Sequence, residues 1–409
     1  MFKASMSKAE SASHPVALTT CILAFVFAAS LFAHSQGLRV INTFAGPNGS
    51  QPLGTLVSDA AGNLYGATIS GGTGNQGVVF KLTPSGGGWV ETVLHSFTGG
   101  SDGGGPQTPL AVDSAGNVYG AATYGGVNTN LGVVFEISSS ASGWTETVLH
   151  SFGAGDAAAP YAGVVFDHAG NLYGTTVIAS GGYGAVYELS PATGGVWNYS
   201  VIHVFTGNGH DGALPYSPVA VNQHGVVYGV TEQGGTAGLG TVFSLTPSST
   251  GWRESVLHNF QGGADGQSPF GGVTLGAPGH VYGTTLLGGA DSEGTVFEVS
   301  LNSGTWSEEI LYNFGSFTGD ALTPSGPLAI SASGNLFGAT SFGGANSKGT
   351  VFELTQSGGI WQDNVLYNFA IANDGLDGVT AVIFGRAGNL YGVGPGGARG
   401  EGVVFEIVP

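Results

Sequence analysis

The chain has 409 residues, of which 76 are Gly, 23 are Phe and only 8% are charged. This composition excludes a disordered chain, and Gly-rich turns between short aromatic and β-branched runs predict an all-β fold. The net charge of −18, with eight Lys and Arg in total, excludes a basic surface, so we expect neither nucleic acid nor an anionic membrane as a partner.

The N-terminus has the features of an export signal. Two lysines precede an apolar run over 16–33, which ends in Ala-His-Ser at 33–35, with small residues where a signal peptidase reads. We predict a signal peptide over 1–35 and a secreted, periplasmic or cell-surface protein, with no membrane contact after cleavage. An uncleaved anchor is the alternative, because the run borders on spanning length. Cys21 lies in this run, so the mature chain would contain no cysteine.

An internal repeat begins after the signal. The pair Tyr-Gly, replaced by Phe-Gly in one copy, recurs at steps of 54 or 55 residues, with its glycines at Gly66, Gly120, Gly174, Gly229, Gly283, Gly338 and Gly392. Such regular spacing indicates seven structural units of about 54 residues each.

Each unit contains four strand-like segments. In the second unit they are 109–112, 118–121, 132–137 and 144–152, separated by Gly-Asn, Gly-Gly and Ser/Gly turns. Four short strands in a unit of this length are typical of a propeller blade. We therefore predict a seven-bladed β-propeller with four antiparallel strands per blade, forming one domain over 36–409 in a monomer.

Six tryptophans confirm the register of the fourth strand, because each stands eight residues before a phenylalanine. They could form a carbohydrate platform or anchor each blade against its neighbour, and the second interpretation is favoured because large aromatics dominate core burial. The fourth strand of the last unit is missing, but 40–44 aligns without a gap on 93–97. We predict that this N-terminal strand pairs with the C-terminal blade and closes the ring, leaving no long free edge.

Three strings recur in order through the units: Asp-Ser-Ala-Gly-Asn-Val-Tyr-Gly (113–120), Gly-Thr-Val-Phe-Glu-Val (294–299) and Trp-Thr-Glu-Thr-Val-Leu-His-Ser-Phe (144–152). They resemble the GloVer tandem repeat, which marks bacterial exported proteins described as choice-of-anchor. The resemblance covers residue 38 to the end. It implies export and carries no known catalytic residues. Family members often end in an anchoring segment, and we expect none in this chain.

The richest loops lie on one face. In a four-stranded meander, the loop to the next blade and the loop between strands two and three open on the same side, called the upper face here. The inter-blade loops carry six acids and three aromatics: Asp102, Asp156, Asp211, Asp265, Asp320, Asp377, Tyr161, Tyr216 and Phe270. We predict that these nine residues bind a ligand, which could be a cationic or a polyhydroxylated molecule. The alternative is turn chemistry, because Asp-Gly is common where a chain reverses.

A metal or other cofactor is not expected. No loop has the Asp-x-Asp-x-Asp-Gly spacing of a calcium loop, although Ca²⁺ stays an open alternative. Four histidines share one repeat position on the outermost strand, and neighbouring blades hold them too far apart for one metal with bonds of about 2 Å. These are His95, His150, His203 and His258. The lower-face turns at Asp59, Asp113 and Asp167 are typical of Asx turns.

Two hypotheses for function remain open. Catalysis needs unlike groups that converge, whereas repeat symmetry spreads like groups evenly, so we predict no catalytic residue. The first hypothesis is an exported non-catalytic module that binds a glycan, a peptide or a cell-envelope partner on the upper face. The second is a propeller enzyme, a lyase or hydrolase, that acts on a polysaccharide or small molecule in the central channel. Such an enzyme should have blades whose channel-facing residues depart from the rest.

Overall fold

The structure, a computed structural model, describes residues 37–127, 130–153, 155–370, 379 and 381–408. Within these ranges, the regular secondary structure is β-strand except for two 3₁₀ turns at Thr193–Gly195 and Gly263–Asp265. Neither turn has the length and apolar character of a membrane-spanning helix. The predicted signal peptide and Asp377 lie outside the described residues.

The strands follow the repeat. The first, β1 (Leu38–Thr43), precedes the first blade. Blade one contains β2 (Ser50–Pro52), β3 (Val57–Ser58), β4 (Leu64–Ser70), β5 (Val78–Ser85) and β6 (Gly88–Ser96). Blade two contains β7 (Gly104–Val112), β8 (Val118–Tyr124), β9 (Val133–Ser140) and β10 (Gly143–Ser151). Blade three contains β11 (Val165–Phe166), β12 (Leu172–Thr176), β13 (Ala185–Pro191) and β14 (Trp197–Val204).

The second half repeats this order. Blade four contains β15 (Gly212–Ala213), β16 (Ala220–Val221), β17 (Val227–Thr231), β18 (Gln233–Gly234), β19 (Thr241–Ser248) and β20 (Gly251–Asn259). Blade five contains β21 (Gln267–Leu275), β22 (His280–Leu287), β23 (Thr295–Asn302) and β24 (Thr305–Asn313). Blade six contains β25 (Ala321–Pro324), β26 (Ala329–Ile330), β27 (Leu336–Gly343), β28 (Thr350–Ser357) and β29 (Ile360–Asn368). Blade seven contains β30 (Val382–Phe384), β31 (Leu390–Gly394) and β32 (Val403–Ile407).

These sheets confirm the seven-bladed all-β propeller. Neighbouring strands in each blade are antiparallel, and most blades have four principal strands. The innermost strand differs from the prediction, because it is interrupted in most blades. Blades one and six split it into two short strands that both pair with the second strand, and β7 and β21 are continuous but change register midway. A proline in this segment removes a ladder donor and explains the break.

Ring closure is confirmed by the register of β1. This strand pairs antiparallel with β32, placing Leu38 opposite Ile407 and Thr43 opposite Val403. The backbone N–H of Phe44 donates a hydrogen bond of 2.9 Å to the carbonyl of Gly402. The first strand of the chain thus serves as the outermost strand of the last blade.

Two aromatic contacts recur where neighbouring blades meet. The phenylalanine that follows each outer strand touches the third-strand aromatic of the next blade, with ring centroids 5.0–5.6 Å apart. The closing contact between Phe44 and Phe80 belongs to the same series. The tryptophans pack against the tyrosine of the preceding blade, as Trp252 does against Tyr173 at 5.9 Å. Such contacts bury the large aromatics between blades, where they contribute most to stability.

Candidate functional site

In six described blades, the inter-blade loop joins the inner strand through the same backbone arrangement at a proline, which we call the proline clasp. In six blades the residue before the first inner-strand proline has a left-handed backbone, with φ between 54° and 62°. Its N–H donates to a carbonyl of the preceding blade at 2.8 or 2.9 Å. The bonds run from Gln51 to Glu401, Gly105 to Gln76, Ala159 to Leu131, Leu214 to Tyr183, Ser268 to Leu239 and Thr323 to Glu293. This clasp fixes the position of the residue after the proline.

The residue after each clasp proline lines a cavity of about 250 Å³ at the upper mouth of the channel. These six residues are Leu53, Gln107, Tyr161, Tyr216, Phe270 and Ser325. They occupy one repeat position, yet they include aliphatic, amide, aromatic and hydroxyl side chains. The backbone conformation and hydrogen bond of the clasp are the same in all six blades, whereas the side chain after the proline varies between them. We call these six residues, with Ser217 beside them, the mouth site.

Three aromatic rings form one side of the mouth site. Tyr161 and Tyr216 meet edge to face with centroids 5.7 Å apart, and Tyr216 and Phe270 are tilted at 5.6 Å. Tyr161 is 47% exposed and Phe270 is 37% exposed. Exposed rings in contact present a continuous apolar surface, which a ligand could cover.

The polar groups of the mouth site are neutral. Ser217 is among the residues that line the cavity, it is only 4% exposed, and its hydroxyl oxygen is shielded from solvent with no hydrogen-bond partner among the described residues. A buried hydroxyl without a partner is costly, and a water or a ligand hydroxyl that reached it would offset this cost. Gln107 donates through Nε2 to the carbonyl of Gly105 at 3.1 Å, and its amide oxygen is of the type that accepts hydrogen bonds.

The predicted acids lie elsewhere. Each of the five described acids accepts a backbone N–H from its own loop and contacts the histidine or tyrosine at the shared repeat position of the outer strand. These contacts are His95–Asp102 (3.2 Å), His150–Asp156 (3.3 Å), His203–Asp211 (3.3 Å), His258–Asp265 (3.0 Å) and Tyr312–Asp320 (3.2 Å). None of these five acids lines the mouth cavity. The structure therefore brings the three predicted aromatics together and leaves the acids at the outer strands.

Sequence reasoning missed Leu53, Gln107, Ser217 and Ser325. The signal that could have found them is the proline register. In an alignment of the units on their first inner-strand proline, the next position carries five different residue types in six blades. A position that varies in an otherwise uniform repeat is a candidate for asymmetric recognition.

The acids have a second neighbour from the next blade. A bulge in each outer strand, as between Val242 and Phe243 opposite His258 and Val256, turns the following side chain toward the next blade. On the next blade, the residue two positions after the tryptophan approaches the same histidine or tyrosine and its loop aspartate. We call each of these contact regions between neighbouring blades a seam. Seam residues from the next blade include Glu91, Glu146, Tyr199, Glu254, Glu308 and Asp363.

Burial controls ionisation at the seams. Burial, and then the charge of Asp102, raise the pKa of the Glu146 carboxyl to about 7. Burial and the charge of Asp265 raise the pKa of Glu308 to about 8. At Asp211 burial opposes ionisation, but hydrogen bonds from His203 and from Thr206 outweigh it and lower the carboxyl pKa to about 2. In the same seam, burial and then the charge of Asp211 raise the pKa of the Glu254 carboxyl to about 7. Each of these three seams therefore holds one carboxyl that resists ionisation.

Asp363 makes the stability of the protein depend on pH. Burial, and then the charge of Asp320, raise the pKa of the Asp363 carboxyl to about 7 from its ordinary value of 3.8. The folded state disfavours the charged form of Asp363. The contribution of this group to the free energy of unfolding is therefore highest below pH 4 and falls as the pH rises toward 7. We expect Asp363→Asn to remove this loss, on the order of 1–3 kcal/mol between pH 5 and pH 8.

Denaturant unfolding of both proteins at a series of pH values measures this difference. The exposed Asp291→Asn is the control and should follow the wild-type pH profile. Parallel profiles for Asp363→Asn and wild type would show that Asp363 ionises freely in the fold.

The chain is therefore a β-propeller whose seven blades are copies of one sequence repeat. A profile of the Gloeobacter/Verrucomicrobia repeat family matches residues 26–236 and 214–409. The chain belongs to this family, which confirms the resemblance seen in the sequence. A search of curated proteins finds no match.

Two solved structures share part of the fold. One, from Thermus thermophilus and described as a candidate oxidoreductase (glucose dehydrogenase), is 15% identical with a TM-score of 0.44, covering 75% of this chain and 98% of that one. The other, described as a candidate 6-phosphogluconolactonase from Bacteroides uniformis, is 13% identical with a TM-score of 0.49, covering 79% and 86%. At this similarity neither carries an argument about the function of this chain.

Proposed function

We propose that the protein is an exported, non-catalytic module that binds a saccharide unit of a glycan at the mouth site. The observation that carries the proposal is the row of Tyr161, Tyr216 and Phe270 beside the unpartnered hydroxyl of Ser217. A sugar has an apolar C–H face that packs on aromatic rings and hydroxyls that bond to neutral polar groups, so it matches both features.

The neutrality of the site supports binding over catalysis. Among the described residues that line the cavity, tyrosine is the only titratable type. General acid–base or nucleophilic catalysis at a glycosidic bond uses a pair of carboxyl groups or a comparable set of reactive groups. The five described loop aspartates are held by backbone N–H groups of their own loops, and no carboxyl residue of the described seams lines the cavity.

The position of the mouth site in the ring also supports recognition of one ligand per molecule. The aromatic residues come from blades three, four and five, whereas blades one, two and six contribute Leu53, Gln107 and Ser325. A ligand seated on the rings therefore meets different chemistry on the two sides of the mouth. This asymmetry would fix its orientation, which a uniform ring of side chains cannot do.

The proposal is tested with a glycan array followed by calorimetry on the best ligand. We expect Tyr216→Ala and Phe270→Ala each to weaken binding by about tenfold or more, because each removes a ring that packs on the ligand. Phe342→Ala is the matched control, since Phe342 is also an exposed phenylalanine, at 54%, but lies outside the cavity. Unchanged affinity in both mouth variants would exclude the site, and release of shortened glycans during incubation would favour the enzyme hypothesis.

A further inference from the structure

Two seams bring together a complete set of metal-ligand side chains. Between blades three and four these are His203, Asp211 and Glu254, and between blades four and five the equivalent residues His258, Asp265 and Glu308. In each set, one ligand atom from every residue lies within 4.8 Å of the others. Histidine and aspartate come from one blade and its loop, whereas the glutamate comes from the next blade.

The separations suit a small ion. In the first seam, His203 Nε2 lies 3.3 Å from Asp211 Oδ1 and 4.0 Å from Glu254 Oε1. In the second, His258 Nε2 lies 3.0 Å from Asp265 Oδ1. Ligands at about 2.0–2.2 Å from a tetrahedral Zn²⁺ are roughly 3.3–3.6 Å apart, so an ion would fit with small side-chain shifts.

A second observation points into both seams. Glu254 Oε1 and Glu308 Oε1 are buried atoms with no hydrogen-bond partner among the described residues. A carboxylate oxygen that is removed from water without a partner is costly, and a cation bound at that oxygen would offset the cost. Glu254 Oε1 lies 4.0 Å from His203 Nε2, and the chain has only eight Lys and Arg that could otherwise compensate such carboxylates.

We propose that each of these two seams binds one divalent transition-metal ion of the Zn²⁺ class, which links neighbouring blades. One imidazole and two carboxylates supply three ligands and leave the fourth position to water. An imidazole ligand favours Zn²⁺ over Ca²⁺, which requires six to eight oxygens. The prediction that one metal cannot collect histidines from successive blades is compatible with these sites, because each uses a single histidine.

The other described seams lack a set of ligand atoms this compact. The seam between blades one and two has the same residue types, His95, Asp102 and Glu146, but their ligand atoms do not all lie within 4.8 Å of one another. At the seam between blades two and three, Tyr199 occupies the glutamate position and stacks on His150 with centroids 4.0 Å apart. At the seam between blades five and six, Tyr312 occupies the histidine position. Substitution of one ligand type at the seams that contain Tyr199 and Tyr312 leaves an incomplete set there.

Calorimetry of the chelator-treated, purified protein with ZnCl₂ tests the proposal. We expect two Zn²⁺ ions per chain and a Zn²⁺-dependent rise in Tm, with no comparable effect of CaCl₂. Glu254→Gln and Glu308→Gln should each remove one equivalent, and the double variant should remove both. Glu309→Gln is the control, because Glu309 is exposed beside Glu308 and should retain both sites.

Folding is checked separately by the far-UV spectrum and by Tm without metal. Loss of a buried carboxylate should leave metal-free Tm unchanged or raise it, so loss of Zn²⁺ binding can be separated from misfolding. Visible ligand-field bands from Co²⁺ in place of Zn²⁺ give a second readout. No Zn²⁺ binding by the wild type, or two equivalents retained in the double variant, would overturn the proposal. The mouth site contains none of these residues, so either proposal can fail without the other.

Discussion

Removal of residues 37–44 is expected to abolish cooperative folding of the ring. These residues supply β1, the outermost strand of blade seven, and Phe44, which is fully buried against Phe80 of blade one. Their loss exposes the edge of β32 and separates the first and last blades. Truncation of a buried phenylalanine alone costs about 3–5 kcal/mol, which is comparable with the roughly 5–15 kcal/mol of total stability in a typical domain.

Single substitutions and a peptide make this test precise. Phe44→Ala should lower the free energy of unfolding by about 3–5 kcal/mol, whereas Phe317→Ala should change it by less than about 0.5 kcal/mol, since Phe317 is 55% exposed. For the deletion variant, a synthetic peptide of residues 37–50 should restore a cooperative transition in urea. A deletion variant that unfolds at the wild-type midpoint without peptide would show that β1 does not close the ring.

Closure could be predicted from the sequence because it follows from counting. The third strand occurs seven times and the tryptophan-led strand six times, and 40–44 fits the seventh place without a gap. Strand register is strongly specified when one face is buried, so an ungapped alignment of repeats translates directly into pairing. The interrupted inner strand was harder to predict, since the left-handed residue before each proline includes Gln51, Leu214 and Thr323, none of which signals this conformation.

The position of the acids could not be predicted from connectivity. Connectivity places a loop on the upper face but does not give its distance from the central axis. The loop runs from the outer strand of one blade to the inner strand of the next, so residues early in the loop stay outside and late residues reach the mouth. Asp211 comes first and bonds to His203 of the outer strand, whereas Tyr216 comes after the clasp proline. Glu254, the third residue of the set with His203 and Asp211, lies on the next blade. Its orientation depends on how the two blades pack, which the sequence does not give.

The second large effect concerns the glycine that marks the repeat. Its backbone is not in the left-handed region at any of the seven copies, so the requirement is steric. A Cβ at Gly229 would lie 2.5 Å from Cζ of Phe243 and 3.2 Å from Cγ1 of Val219, in a fully buried contact. The third-strand ring of the same blade rests directly on the glycine, and this contact explains why Tyr-Gly persists while neighbouring residues vary.

We therefore expect Gly229→Ala to destabilise the protein by about 1–3 kcal/mol, because a well-packed core cannot accept an added methyl group without displacing the ring. Gly209→Ala is the control, since a Cβ there meets no atom within 4 Å, and its effect should be neutral or slightly stabilising. Phe243→Leu replaces the ring with a smaller side chain and should leave space for the new methyl group. The double variant Gly229→Ala/Phe243→Leu should then be about as stable as Phe243→Leu alone, a coupling measurable by urea unfolding of all four proteins. Strictly additive costs would mean that Phe243 does not set the glycine requirement.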